Sequence, residues 1–440
     1  MIFSVCIFIC AALGSTVPIP DNDPFYKPPA RFELSAPGTV FWNRSVPSAI
    51  SGVTAVQVLY RTTLANGIAT ATVATILTGP KPTGDKLVAF ADAEDAVNTT
   101  CADSYLYYTN STSIPDTSFI LATGATVVIP DYEGPNSAFS AGRQEGMGVL
   151  DGIRAALNYA PAGIRKNAAV GGYGYSGGAT AIGWAASLQP IYAPELNVKG
   201  WAFGGTPANV TSTLQKVEGT VFAGFAVSGL AGQIEAYSAI RKRFAQLATA
   251  VGAAAVAKAK TQCSTNDSSD FMFANIESTT FQKLGNRFLY DPDIASVLLK
   301  GTMGLYKNET PTAPVYMFHS KSDEVIPYTS AQATANAWCA NGAGIEFVTE
   351  TGGTGHIGTA MVLAGNATAW LDLRLNGTPP TAGCSNVSFH EHGDPTKRAE
   401  NTTAIEVFGI GDAKIIANME WLHAAGQAVP SLFTYVKWML

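Results

Sequence analysis

Gly174-Tyr175-Ser176-Gly177-Gly178 is a G-x-S-x-G run. A serine hydroxyl is a poor nucleophile until a base takes its proton, so a reactive Ser176 needs a partner histidine and an acid to orient that histidine. The chain has five histidines: His319, His356, His390, His392 and His423. His356 closes the glycine-rich stretch Thr351-Gly352-Gly353-Thr354-Gly355-His356, directly after an apolar run that reads as a strand, where a base on a loop belongs. Asp323, in Ser320-Lys321-Ser322-Asp323-Glu324-Val325, follows another such run and lies between Ser176 and His356. This gives the order serine, acid, histidine. Glu324 is the competing acid. His319 precedes both, inside or at the end of a strand, and His390 and His392 read as surface. The chemistry implied is acyl transfer.

The motif carries weight only if a strand enters it and a helix leaves it. Ala168–Tyr173 reads as that strand and Gly177–Leu188 as that helix. Such a tight turn holds Ser176 in a strained conformation and aims the Gly177 N–H at a developing oxyanion. A second oxyanion donor belongs in the loop Ala91–Ala96, where the residues alone select no member.

Further elements repeat the pattern. Residues 56–77 read as two antiparallel strands about the Asn66-Gly67 turn, and 87–90 and 125–130 as buried strands. Met147, Leu150, Ile153 and Leu157 form an apolar helical stripe between Arg143 and Tyr159, and 198–203 is another strand. Alternating strands and helices predict a mostly parallel sheet. The pattern breaks at 205–300, which is rich in Ala and Gly, with an apolar run at 221–230 and a helix-like run at 240–260. It resumes with strands at 314–318 and 345–348. The expectation is an α/β-hydrolase fold with an inserted helical cap. Its parts are a signal peptide at 1–14, a first core part at 15–204, the cap at 205–300, and a second core part with a C-terminal extension at 301–440.

Composition narrows the setting. Only 14% of the 440 residues are charged and the net charge is −6, which leaves no basic stripe for nucleic acid. Ile2–Leu13 is apolar and too short to span a bilayer, and Ala12 and Gly14 precede Ser15 as a cleavage site would require, although no Lys or Arg precedes the run. Ten sequons begin at Asn43, Asn98, Asn110, Asn209, Asn266, Asn308, Asn366, Asn376, Asn386 and Asn401. Beyond the leader, Cys101, Cys263, Cys339 and Cys384 allow two disulfides in any of three connectivities. All of this reads as a secreted glycoprotein. No metal knuckle is present, no third ligand accompanies the His390/His392 pair, and no transmembrane segment is expected.

Taken together, Gly174–Gly178, Asp323-Glu324-Val325-Ile326-Pro327-Tyr328, Asp23-Pro24-Phe25-Tyr26, Glu145-Gly146-Met147, Leu150–Arg154 and Tyr192–Asn197 resemble the fungal secretory lipase family, the group similar to Candida antarctica lipase A. The likeness runs from about residue 20 to about residue 385 and fades after about 390. It implies a capped α/β-hydrolase, lipase or esterase activity without cofactor or metal, and a triad on Ser176, Asp323 and His356. It also implies oxyanion donors at Gly177 and Asp95 and disulfides Cys101–Cys263 and Cys339–Cys384. Gly355 departs from the resemblance, which implies an acidic residue there, as in Candida antarctica lipase A. The expected substrate is an ester or lipid at an oil–water interface, with triacylglycerol favoured. The alternative is a smaller acetylated substrate such as a trichothecene-type fungal metabolite.

Overall fold

The computed structural model describes residues 17–390 apart from 49 and 110–114. The leader, Asn110, Asn401, His392, His423 and the C-terminal extension lie outside them. Ten strands form one sheet: β1 (Val40–Val46), β2 (Thr54–Thr63), β3 (Ala69–Thr78), β4 (Lys86–Ala91), β5 (Thr126–Pro130), β6 (Ala169–Tyr175), β7 (Val198–Gly204), β8 (Val315–Ser320), β9 (Ile345–Glu350) and β10 (Ser385–Phe389). Their order is β1-β2-β3-β5-β4-β6-β7-β8-β9-β10. The pairs β1–β2, β2–β3 and β3–β5 are antiparallel, and all pairs from β5–β4 to β9–β10 are parallel. The nucleophile strand β6 lies between β4 and β7, so the loops that follow three neighbouring strands meet at one edge.

Continuous apolar strands need cover on both faces, and alternate residues choose the face. Leu87 and Ala89 of β4 point to the side packed by Val149, Leu150, Ile153, Ile182, Trp184 and Trp338. Val88 and Phe90 point to the side packed by Tyr107, Ile120, Leu121, Leu363, Trp370 and Leu371. The first layer comes from α3 (Gly142–Asn158), α4 (Gly177–Tyr192) and α11 (Tyr328–Ala340), and the second from α1 (Asp103–Tyr108), α2 (Pro115–Ala122) and α12 (Gly355–Leu375). Fully burying one side chain of this kind stabilises by roughly 1.5–3 kcal/mol.

Between β7 and β8 the chain builds α5 (Val210–Val217), α6 (Ala223–Ala236), α7 (Ser238–Leu247), α8 (Ala250–Ala259), α9 (Ser264–Asp270) and α10 (Pro292–Leu298). They enclose a core of their own, which includes Val227, Leu230, Phe244, Phe281 and Phe288 and takes in Val325 and Ile326 of the loop after β8. The run read as one helix from 240 to 260 is two. Thr249 interrupts it and caps α8, its side chain accepting the Gly252 N–H.

Disulfides join Cys101 to Cys263 and Cys339 to Cys384. The first ties the cap to the loop after β4, and the second ties α11 to the segment entering β10. No helix of the described residues is long and apolar enough to cross a membrane.

Candidate active site

β6 ends at Tyr175 and α4 begins at Gly177, leaving Ser176 as the turn, with φ 53° and ψ −120°. A non-glycine residue in that region carries roughly 1–3 kcal/mol of strain, which the surroundings must offset. They do so by hydrogen bonding: the Ser176 N–H donates to Gly204 O at 3.0 Å, and its carbonyl accepts the Thr180 N–H at 3.2 Å. Small residues are a steric demand here. A Cβ on Gly178 would lie 1.9 Å from Ala91 O, and one on Gly177 would lie 1.9 Å from Asp95 Oδ1.

Three groups read from the sequence meet at this turn. The Ser176 hydroxyl lies 2.8 Å from His356 Nε2, and His356 Nδ1 lies 2.7 Å from Asp323 Oδ2. A carboxylate only accepts, so Nδ1 carries the ring proton and Nε2 is free to accept from the serine. Asp323 Oδ1 accepts the N–H groups of Val325 at 2.9 Å and Ile326 at 2.7 Å. Burial pushes the Asp323 carboxyl up. The charge His356 can carry and hydrogen bonds from His319 and His356 outweigh that and hold it below the usual carboxylate range.

His356 is not in a loop as expected; it is the second residue of α12. Gly355 has φ 71°, and this left-handed residue turns the chain from the loop into the helix. Three side chains that sequence reasoning did not assign hold His356 and its approach. Glu324 Oε2 accepts the His356 backbone N–H at 2.9 Å, and the Tyr175 hydroxyl donates to the His356 carbonyl at 2.6 Å. Glu350, fully buried, accepts from the Ser320 hydroxyl at 2.8 Å and the Thr354 N–H at 3.2 Å, fixing the loop that leads there. The signal for Glu324 was present, since it neighbours Asp323. The sequence offers it as a competing acid, and the structure gives the two carboxylates separate partners. At Gly355 a Cβ would meet Glu324 Oε2 at 2.7 Å. The Glu324 carboxylate therefore occupies the space a side chain at 355 would need.

Asp95 follows β4, has φ 50°, and is buried against Gly177. Burial pushes its carboxyl up to about 7, against a lowering by His356. His390 lies at the end of β10, exposed, and no group of described residues could hold a metal ion.

A cleft opens beside Ser176. Its walls include Phe139, Val210, Leu214, Val217 and Phe225 together with Ile326 from the loop after β8. Most of them belong to the helices between β7 and β8, so the insertion supplies an apolar wall beside Ser176.

Known proteins are similar to this chain in sequence and fold. Residues 108–383 match the family model described as secretory lipase. A secreted triacylglycerol lipase of Malassezia restricta is 39% identical over 414 residues, covering 89% of this chain and 87% of that protein. Another of Malassezia furfur is 40% identical over 375 residues, covering 78% of each. The crystal structure of Candida antarctica lipase A in its closed state superposes with a TM-score of 0.80 at 31% identity, covering 88% of this chain and 94% of that one. A cell-wall-degrading esterase of Xanthomonas oryzae, at 16% identity and a TM-score of 0.59, shares the fold. The chain belongs to the secretory lipase family and is a secreted carboxylic ester hydrolase of the α/β-hydrolase fold.

Proposed function

We propose that the protein is a triacylglycerol lipase in which Ser176, His356 and Asp323 carry out acyl transfer. The observation that carries the reading is the continuous relay from the Ser176 hydroxyl through His356 to Asp323, set beside an apolar cleft. Ser176 Oγ attacks the ester carbonyl carbon while His356 Nε2 takes its proton. The oxyanion rests on the backbone N–H groups of Gly177 and Asp95. The intermediate collapses, and the departing alkoxide takes the proton from His356 and leaves as alcohol. Water then attacks the acyl group on Ser176, with His356 again the base, and the fatty acid departs. Asp323 keeps the imidazole oriented and stabilises it when charged.

The relatives are named for triacylglycerol. The cleft walls are apolar, which favours a long acyl chain over an acetyl group. The smaller-ester alternative gains no support from these relatives. The substrate is met at an oil–water interface. Ser176→Ala should reduce hydrolysis of emulsified trioleoylglycerol by at least about 10³-fold and abolish labelling by a fluorophosphonate. Full activity in that variant would overturn the reading, and faster turnover of acetyl than of oleoyl esters would overturn the substrate.

A further inference from the structure

His319 is fully buried near the end of β8. Side chains along β8 alternate: Tyr316 and Phe318 join one core layer, Val315 and Met317 the other, and His319 continues the second row. An apolar residue would fill such a position without desolvating a polar ring. The imidazole instead points Nε2 at two acceptors, Asp323 Oδ2 at 3.2 Å and the Ile326 carbonyl at 3.3 Å. Nε2 must therefore carry a proton. Nδ1 is buried without a hydrogen-bond partner among the described residues, so Nε2 is the nitrogen placed to donate. A second ring proton would have no acceptor. The Tyr328 ring meets the imidazole nearly at right angles, 5.9 Å between centroids, and limits its rotation.

The two oxygens of Asp323 are held differently. Oδ1 takes two backbone N–H groups and is fixed by the chain. Among the described residues Oδ2 meets two side chains, His356 at 2.7 Å and His319 at 3.2 Å. Without His319, the carboxylate could pivot about Oδ1, and only the moving partner of the reaction would locate Oδ2.

We propose that His319 is a positioning residue for the relay: its Nε2–H fixes Asp323 Oδ2 and keeps the carboxylate an acceptor while His356 gains and loses its proton. The proposal rests on reading Asp323 as the acid of the triad. It adds to that triad a donor that does not touch the substrate and exchanges no proton with it.

The test compares His319→Gln, whose amide reaches the place of Nε2, with His319→Asn and His319→Leu, which put no donor there. The measurements are kcat and KM on a soluble p-nitrophenyl ester, the rate of fluorophosphonate labelling, and the melting temperature. Asn and Leu should lower kcat and the labelling rate roughly tenfold with KM within about twofold, and Gln should restore most of the rate. Wild-type kcat in folded Asn or Leu variants would overturn the proposal, as would a Gln variant as slow as Asn at equal melting temperature. If His319→Leu fails to fold, the Gln–Asn comparison decides. Asp323→Asn is the parallel control. Unchanged hydrolysis there would overturn the triad reading itself, whereas a loss there with normal His319 variants would sink this proposal alone.

Discussion

The backbone N–H and the carbonyl of His356 are each held by a side chain from a different part of the molecule. Glu324, beside the proposed acid Asp323, accepts from the N–H, and Tyr175, beside the proposed nucleophile Ser176, donates to the carbonyl. A hydrogen bond to a charged acceptor contributes about 1.5–3 kcal/mol. Its loss should shift the imidazole before it unfolds the protein. Glu324→Ala is expected to lower kcat by about tenfold with KM little changed, and Glu324→Gln, which keeps an acceptor oxygen, to retain most of the rate. Steady-state kinetics on a soluble ester at matched melting temperatures distinguish this from general destabilisation. Equal kcat in Ala and wild type would rule the role out. None of these pairings is visible in the chain order, because the partners lie 32 and 181 residues apart. Ser176 was legible because its requirement is local: a strand, a tight turn and a helix within a few residues.

The element scale shows where sequence periodicity works and where it stops. β4 to β9 carry apolar runs that need burial on both faces, and they read directly. The edge strands did not. β10 is Ser385-Asn386-Val387-Ser388-Phe389, largely exposed, and β1 alternates little; both exist because a neighbouring strand offers its free edge. The 21-residue α12 also escaped, because it packs small and large apolar residues without a sharp stripe. The cap read as helical, but its attachment depends on a pairing that four cysteines alone leave open. Cys101–Cys263 closes a separation of 162 residues and joins cap to core. Replacing both cysteines by serine should cost about 2–4 kcal/mol. A lower urea midpoint under non-reducing conditions, with the difference shrinking when both proteins are reduced, would show it. An unchanged midpoint would mean that the bridge constrains little in the unfolded chain.

Across the whole molecule, carboxyls collect around the first core helices and the elbow. Burial pushes Glu94, Glu133 and Glu145 well up, and it pushes Asp95 and Asp131 to about 7. A group whose folded pKa exceeds its unfolded one contributes stability that is complete below the unfolded value and is lost as pH rises through the folded one. For Asp95 and Asp131 that window runs from the ordinary carboxylate range to about 7. Asp323 has the opposite sign: its contribution is present above its unfolded value and is lost as pH falls toward its depressed one. Stability should therefore peak in mildly acidic solution, with the melting temperature falling between about pH 5 and pH 7. A melting temperature that rises across that interval would contradict this.

Glycan occupancy is also decided by the folded surface. Asn43, Asn266, Asn308, Asn366, Asn376 and Asn386 are exposed, whereas Asn98 and Asn209 are half-buried and accept backbone N–H groups at helix starts. Peptide mapping of the secreted protein should find glycans among the six exposed sites and none at Asn98 or Asn209.

The reaction class, the α/β scaffold and secretion were legible from residue type, short spacing and composition. What surrounds Ser176 follows from the folded packing. The second histidine on Asp323, the carboxylate on the His356 N–H, and the apolar wall lent by the cap are contacts between segments far apart in the chain. Such contacts are selected by the packing of the whole sheet and its insertion, and no local pattern encodes them.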